Sequence, residues 1–322
     1  MAGNEFPVGY GMTAELLPLF REELQACNVK EGETVALLSD SITNPHYPAA
    51  FLGAAKDLGA YTFEIRVPFF TKGKRKLLRA ASDDVIPPKG PMEAMKAADI
   101  VIDLSTLGWL YTNVHNEVLD SGTRTMSCTQ PPDVLRRLTH SPEVKARSLA
   151  GAAVLEKGKK LRMTTPAGTD LTFDKTGRKA LAQYGASDVP GRWDNWPSGQ
   201  IATAPIEGSC EGVLVIDVGD VILRIFRYVS EPIRCTFEGG KMVKIEGGVD
   251  AFLLREYMGL WDDEKAFIPA HIGWGTDDRC IWSELTLPGF GGGMDAESYY
   301  GDILFGMGSN YFRGLAGKNV TL

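Results

Sequence analysis

The sequence predicts an α/β domain of the parallel, doubly wound type, followed by an α+β domain. The chain has 322 residues, which is more than a single hydrophobic core usually serves. Helical and strand patterns alternate through the first part of the chain. Short strands with tight turns dominate from about residue 141, a pattern typical of mixed α+β structure. We therefore expect the α/β domain over residues 1–140 and the α+β domain over residues 141–322.

The first domain combines amphipathic helices with short apolar strands. Leu16, Leu17, Phe20 and Leu24 recur at helical spacing after Thr13, a residue type that caps helix N-termini. Strands separated by helices predict parallel pairing. The chain has no GxGxxG or P-loop motif, which argues against a nucleotide-binding version of this fold. The predicted order is helix 13–25, strand 33–40, helix 47–58, strand 61–67, helix 91–98, strand 99–104, strand 123–128 and helix 131–138.

The second domain begins with a helix over 142–155, after which strand patterns prevail. Strands 161–165 and 170–173 flank a Pro-Ala-Gly-Thr turn and predict a hairpin. Further predicted elements are strands 212–218, 221–228, 234–238 and 242–246, and a helix over 250–261. Glycines are dense near the end of the chain, which indicates turns and close backbone approach around a site. They stand at positions 289, 291, 292, 293, 301, 306 and 308.

Composition argues against several classes of protein. With 34 Lys and Arg against 41 Asp and Glu, the net charge is −7, which is unlike a general nucleic-acid binder. The basic run at 72–76 has no interleaved aromatic residues, and we interpret it as a solvent-exposed turn. No apolar run reaches the roughly 20 residues of a bilayer span, and no signal peptide is visible. We therefore expect a cytoplasmic protein that binds neither nucleic acid nor membrane.

The five cysteines are scattered and never form a CxxC pair. This pattern argues against a disulfide scaffold or a zinc knuckle. We interpret them as small buried hydrophobic residues and assign them no function.

The four histidines are the scarce chemical groups of this chain. His46 and His140 lie near prolines and are interpreted as loop or capping residues. His115 follows the predicted strand 99–104, near the strand end where open α/β sheets bind ligands. His271 lies in a short apolar segment flanked by glycines. A histidine in such a strand is either a metal ligand or a hydrogen-bonded core residue, and spacing leaves both open.

The segment Pro190–Gln200 contains two tryptophans, an arginine, an aspartate and an asparagine. Such a loop either lines a pocket for a flat heteroaromatic or small polar ligand, or fills a domain interface. Both interpretations stay open. The sequence contains no GxSxG or HExxH motif, which argues against serine hydrolases and zincins.

Ten short stretches together resemble the 2,5-dihydroxypyridine 5,6-dioxygenase family. Its members open the ring in nicotinate breakdown and are related to the aminopeptidase T metallopeptidases. The resemblance covers most of the chain and is densest over the second half. The matching stretches lie at 184–185, 190–194, 196–199, 211–212, 217–220, 254–258, 271–275, 294–296, 300–301 and 304–305.

This resemblance implies a mononuclear Fe(II) dioxygenase. It makes His271 one iron ligand and expects a further His and Asp from a His-x-Asp pair near the C-terminus. Two histidines and one carboxylate leave coordination positions for substrate and O2. The resemblance thus implies Fe(II) as cofactor, a small aromatic substrate with O2, and a homo-oligomer like its relatives. His271 and Gln200 stand where the peptidase branch has metal-binding glutamates, which favours the dioxygenase branch.

The resemblance also implies residues around the substrate. Gln183 and Asn195 align with a Glu and a His of the dihydroxypyridine enzyme, and Gly306 aligns with a serine beside the metal. Side-chain amides donate and accept hydrogen bonds but cannot act as general bases. We therefore expect a hydroxylated N-heterocycle or aromatic other than 2,5-dihydroxypyridine. Further candidates for contact with the ring are Trp193, Trp274 and His115.

Two alternatives remain at this stage. The printed sequence ends at Leu322, where the family's His-x-Asp pair begins. Either further residues carry these ligands or the protein lacks them. The alternatives to the dioxygenase are therefore an aminopeptidase T-like metallohydrolase and a degenerate relative that binds its ligand without metal.

Overall fold

The computed structural model describes residues 11–68, 89–106, 108–110, 112–287 and 293–308. These residues pack into two compact units. Among the described residues, unit 1 comprises those of 11–142 and 183–198 and residue 287, and unit 2 comprises residues 143–182, 199–286 and 293–308. No pattern in the sequence predicts that residues 183–198, which follow a segment of unit 2, belong to unit 1. The predicted boundary between residues 140 and 141 stays a prediction.

Unit 1 is built on a five-stranded parallel sheet, as the alternation of elements predicts. Its strands β1 and β3 are almost entirely buried, which explains their continuous apolar runs. The fifth strand comes from a distant part of the chain and was not predicted. The strand order is β2-β1-β3-β4-β8, with β1 at Thr34–Asp40, β2 at Tyr61–Val67, β3 at Ile100–Asp103, β4 at Arg124–Ser127 and β8 at Trp193–Asn195.

Four of the described helices of unit 1 follow the predicted order, and the helix at Asn113–Asp120 was not predicted. They are α1 (Gly11–Ala26), α2 (His46–Asp57), α3 (Gly90–Lys96), α4 (Asn113–Asp120) and α5 (Pro132–Arg137). Phe20 of α1 is buried and stacks on Phe51 of α2, with ring centroids 4.1 Å apart. The prediction that Thr13 caps α1 was wrong, because the helix already begins at Gly11. The Thr13 hydroxyl instead forms a 2.8 Å hydrogen bond with Nδ1 of His46.

The described residues of unit 2 contain two larger antiparallel sheets and a separate two-stranded hairpin. The five-stranded sheet has the order β14-β13-β10-β6-β5, with β5 at Lys160–Thr164, β6 at Asp170–Asp174, β10 at Glu211–Ile216, β13 at Ile233–Glu238 and β14 at Lys241–Glu246. The four-stranded sheet has the order β16-β15-β9-β7, with β7 at Ala180–Gln183, β9 at Gln200–Thr203, β15 at Pro269–Gly275 and β16 at Ile303–Met307. The α+β prediction is confirmed.

In the described part of the unit, three helices accompany these sheets: α6 (Pro142–Lys157), α7 (Val249–Gly259) and α8 (Met294–Ser298). The core of unit 2 includes Phe173, Ile233 and Phe237 from the five-stranded sheet and Leu254 from α7. Burial of these apolar side chains is the main force that holds the unit together.

Two local predictions were wrong. The predicted strand 221–228 is instead a small hairpin of β11 (Val221–Ile222) and β12 (Arg227–Tyr228) around a 3-10 turn at Leu223–Ile225. A short apolar run is compatible with either structure, and here Phe226 turns the chain with a positive φ of 50°. The predicted loop 190–200 contains β8 and the start of β9.

Several sequence features can be compared with the structure only in part. All five cysteines are buried and free, as expected. No helix within the described ranges has the length and apolar composition needed to cross a bilayer. The basic run 72–76, glycines 289, 291 and 292, and the segment 318–322 lie outside the described residues.

Candidate metal and substrate sites

His271 lies in unit 2 on β15, whose glycines permit a very close backbone approach. A Cβ atom on Gly273 would collide with the carbonyl oxygen of Ile201, and one on Gly275 would collide with the carbonyl oxygen of Tyr299. Only glycine fits at these two positions. The glycines that flank His271 in the sequence therefore serve the packing of the strand that carries it.

Gly306 is the residue opposite His271 in the β15–β16 ladder. A Cβ atom on Gly306 would lie 2.6 Å from Nδ1 and 2.7 Å from Nε2 of His271. The imidazole therefore occupies the space that any other residue at position 306 would need. The structure thus brings these two sequence-predicted residues together.

The imidazole of His271 is suited to bind a metal ion. It is partly buried, and its ring nitrogens make no hydrogen bond to another residue of the described chain. Burial, with a smaller contribution from the positive charge of Arg224, lowers the pKa of His271 to about 4. At neutral pH the ring is therefore uncharged, and the uncharged form is the one that binds metals.

Arg224, Glu297 and Gln200 are further polar groups of unit 2 near this position. Arg224 interacts electrostatically with both His271 and Glu297, and the Gln200 side chain donates a hydrogen bond to Glu297. Burial raises the pKa of Glu297, and both of these neighbours oppose that rise. Arg224 and Glu297 were missed, because neither lies in a motif and only the fold brings them near His271.

A complete set of metal ligands is not found within the described residues. No group of three or more His, Cys, Asp or Glu side chains in these ranges is arranged to hold a metal ion. His271 therefore fits one ligand position.

Trp274 lies on β15 three residues after His271. Side chains alternate between the two faces of a strand, so Trp274 and His271 point to opposite faces. The indole packs towards α6, where a Cβ atom on Gly151 would lie 3.7 Å from Cζ2 of Trp274. This placement argues against Trp274 as a contact for a ligand bound at His271.

In unit 1, polar residues follow one another along the carboxyl edge of the parallel sheet. Asn195 at the end of β8 pairs with Ser127 of β4, and Ser127 pairs with Asp103 of β3. Burial raises the pKa of Asp103 to about 7, although hydrogen bonds from Ser105 oppose the rise. Open α/β sheets bind ligands at this edge, which supports Asn195 as a substrate-binding candidate.

His115 is held inside unit 1 by an aromatic and hydroxyl environment. It is 0% exposed, and its Nε2 lies 2.9 Å from the hydroxyl of Thr125. The rings of Trp109 and Trp193 lie close to it, with centroids 4.9 Å and 6.1 Å away. Burial lowers the pKa of His115 to about 3, so the ring is neutral at physiological pH. The fold thus brings His115 and Trp193 together, and their contact with a substrate stays a prediction.

The carboxylate of Asp194 connects the backbone next to Gln183 with that of Asn195 through hydrogen bonds. Gln183 ends β7, and the next backbone amide, that of Tyr184, donates a 3.0 Å hydrogen bond to Asp194. The backbone N–H of Asn195 donates a hydrogen bond to the same carboxylate at 2.9 Å. Asp194 was not assigned a function from the sequence, although the Arg-x-Asp pattern at 192–194 was a signal for a local ion pair.

The fold defines a class of two-unit α/β proteins that includes AmpT of Thermus thermophilus. That structure superposes with a TM-score of 0.60 at 17% identity and covers 96% of this chain and 88% of its own chain. The neutral ring of His271, which could bind a metal ion, is compatible with a metal-dependent enzyme. A family model identifies one family within this class. The model of 2,5-dihydroxypyridine 5,6-dioxygenase (NicX) matches residues 15–321. The chain belongs to that family.

Two further comparisons agree with the family assignment. The 2,5-dihydroxypyridine 5,6-dioxygenase of Pseudomonas putida is 34% identical over 303 residues, which cover 92% of this chain and 86% of that protein. The solved structure of 2,5-dihydroxypyridine dioxygenase from Pseudomonas putida matches with a TM-score of 0.87 at 33% identity. It covers 97% of this chain and 90% of that chain. The resemblance inferred from the sequence motifs is therefore confirmed.

Proposed function

We propose that this protein is an Fe(II)-dependent ring-cleaving dioxygenase that acts on a hydroxylated pyridine or related small aromatic in catabolism. The observation that carries the proposal is family membership over residues 15–321. The named relative from Pseudomonas putida is an enzyme for a hydroxypyridine. We also propose that the protein works in the cytoplasm as a homo-oligomer.

His271 is the residue that we assign to the metal. Its ring is neutral, and its nitrogens make no competing hydrogen bond in the described chain. Gly306 leaves the ring the space it occupies. Fe(II), when bound, would supply the redox and Lewis-acid chemistry that a reaction with O2 requires.

Gln183 and Asn195 are the residues that we assign to polar substituents of the substrate. Each amide can donate to one substrate atom and accept from another. Neither can remove a proton, so the pair favours a substrate that binds without proton transfer to these two side chains. This reasoning supports a hydroxylated N-heterocycle or aromatic other than 2,5-dihydroxypyridine.

Trp193 is the aromatic residue that we assign to the substrate ring, with His115 as a neutral neighbour that helps to fix the indole. The two rings lie in an edge-to-face arrangement, which is a favoured geometry for aromatic pairs. Trp274 is not part of this proposal, because its side chain lies on the opposite face of β15 from His271.

The proposal is tested by oxygen consumption. The protein is loaded with Fe(II) under anaerobic conditions and mixed with a panel of hydroxypyridines and catechols. We expect consumption of O2 together with loss of the ring absorbance for at least one compound. No consumption with any of them would overturn the proposal. Peptide hydrolysis with Zn(II), Co(II) or Mn(II) in the absence of O2 would favour the metallohydrolase, and ring binding without either reaction would favour a degenerate relative.

A further inference from the structure

We propose that Asp194 is a positioning residue whose buried carboxylate fixes Gln183 and Asn195 relative to each other and thereby sets substrate specificity. The inference rests on the proposed function, because it is there that Gln183 and Asn195 are assigned to the substrate. Asp194 itself would touch neither substrate nor metal. It would act through the backbone of its neighbours.

The hydrogen bonds of Asp194 join two segments that are otherwise separate in the sequence. One carboxylate oxygen, Oδ2, accepts from the backbone N–H of Tyr184 at 3.0 Å. The other, Oδ1, accepts from the backbone N–H of Asn195 at 2.9 Å. Asp194 is 0% exposed, so water does not compete for these bonds. A single side chain therefore controls the peptide that follows Gln183 and the peptide that precedes the Asn195 side chain.

Arg192 holds the Asp194 carboxylate in a fixed orientation. Its Nη2 donates to Oδ2 of Asp194 at 2.7 Å, and its Nε donates to the carbonyl oxygen of Ala186 at 2.9 Å. The guanidinium carbon also lies 3.8 Å from the ring centroid of Tyr184. Charge-assisted bonds of this kind are strong and directional. Arg192 is itself held by Ala186 and Tyr184, so the Asp194 carboxylate that it binds has a fixed orientation.

A buried ion pair is a weak source of stability. Apolar residues of the same volume often stabilise a core as well or better, because both charges lose their hydration. The segment is also anchored elsewhere in unit 1. The Ser187 hydroxyl donates to the carbonyl oxygen of Thr125 at 2.5 Å, and the Trp196 indole donates to the carbonyl oxygen of Leu138 at 3.1 Å. What Asp194 adds to these anchors is the relative geometry of the two amide side chains.

The variant Asp194→Asn keeps the size of the side chain but replaces one acceptor with a donor. The new NH2 group would face N–H groups that now donate hydrogen bonds to the Asp194 carboxylate. We expect kcat/KM to fall on the order of 10²-fold, mostly through KM, because small misplacement of binding groups has effects of this size. Arg192→Lys keeps the charge and loses the forked geometry, so we expect a smaller change in the same direction.

A matched control separates positioning from general loss of stability. Lys175 in unit 2 is 1% exposed, and its Nζ donates to the carbonyl oxygens of Leu155 and Gly158 at 2.8 Å and 3.0 Å. Lys175→Met also removes a buried charged side chain. We expect it to lower the melting temperature and leave KM unchanged. An equal rise of KM in Lys175→Met and Asp194→Asn would overturn the proposal.

A readout that needs no turnover tests the positioning directly. In protein labelled with 15N at Asn and Gln, the side-chain amide signals of Gln183 and Asn195 are assigned by their loss in Gln183→Glu and Asn195→Asp. We expect Asp194→Asn and Arg192→Lys to shift both signals, and Lys175→Met to shift neither. Unchanged signals in both Asp194→Asn and Arg192→Lys would overturn the proposal. If the wild-type protein turns over no substrate, the proposed function fails while these spectra still decide about Asp194.

Discussion

The two units each contain a neutral histidine on or beside a sheet, and the two histidines differ in the hydrogen bonds of their ring nitrogens. His115 in unit 1 uses Nε2 for a hydrogen bond with Thr125, and two indole rings lie close to it. His271 in unit 2 makes no ring hydrogen bond in the described chain. Burial lowers the pKa of both, to about 3 and about 4. Neutrality is therefore common to both histidines, and Nδ1 of His115 also has no hydrogen-bond partner. What distinguishes the candidate ligand is that both of its ring nitrogens lack a hydrogen bond in the described chain and that its ring is only partly buried, whereas His115 is 0% exposed.

The largest expected effect comes from removing the candidate ligand. His271→Ala should abolish iron binding and lower kcat/KM by more than about 100-fold, since even residues outside the ligand set of a metal site contribute 10- to 100-fold. Iron per chain by elemental analysis, together with O2 consumption, measures both effects. His115→Gln is the matched variant in unit 1 and should keep its iron. Normal iron content in His271→Ala would break the distinction between the two histidines.

Gly306→Ala tests whether His271 needs the space beside it. The new Cβ atom would lie 2.6 Å from Nδ1 of His271, so the ring must move. We expect a loss of iron affinity and activity of about 10- to 100-fold. Gly259→Ala is the control, because nothing lies within 4 Å of a Cβ atom there. Equal activity of the two variants would show that the imidazole has room to shift without consequence.

The pH dependence of stability tests the state of His115. Its pKa is about 3 in the folded protein against a usual value of 6.5. As pH falls below 6.5 the unfolded chain takes up a proton that the folded chain does not, so stability decreases. At pH 5 this histidine should cost about 2 kcal/mol. Urea unfolding at pH 7 and pH 5 should therefore show a smaller loss in His115→Gln than in wild type. Identical losses would mean that His115 can be protonated in the folded protein.

The smallest effect is expected for Trp274. Because this side chain lies on the opposite face of β15 from His271, Trp274→Phe should change kcat/KM by no more than about threefold, within the range of substitutions away from a site. Trp193→Phe should change it more, because Trp193 pairs with His115 and lies on β8, the strand that ends at Asn195. A greater effect at Trp274 would reverse the assignment of the two indoles.

The sequence predicted those parts of the fold that depend on local patterns. The apolar runs of β1 and β3 and the glycine-flanked strand of His271 are visible in a few neighbouring residues. The strand β8 was missed because its three residues become a strand only by pairing with β4, where Thr125 pairs with Trp193. Three polar residues were missed for the same reason. Arg224 and Glu297 gain their significance from each other and from His271, which are distant in the sequence. Asp194 gains its significance from Tyr184, ten residues earlier.

The central claim is that the protein incorporates molecular oxygen into an aromatic ring. The most direct test is the reaction of the Fe(II)-loaded protein with its best ring substrate under 18O2, followed by mass spectrometry of the product. A ring-cleaving dioxygenase predicts that both atoms of one O2 molecule appear in the ring-opened product. A product whose new oxygen comes from water would contradict the claim and indicate a hydrolase.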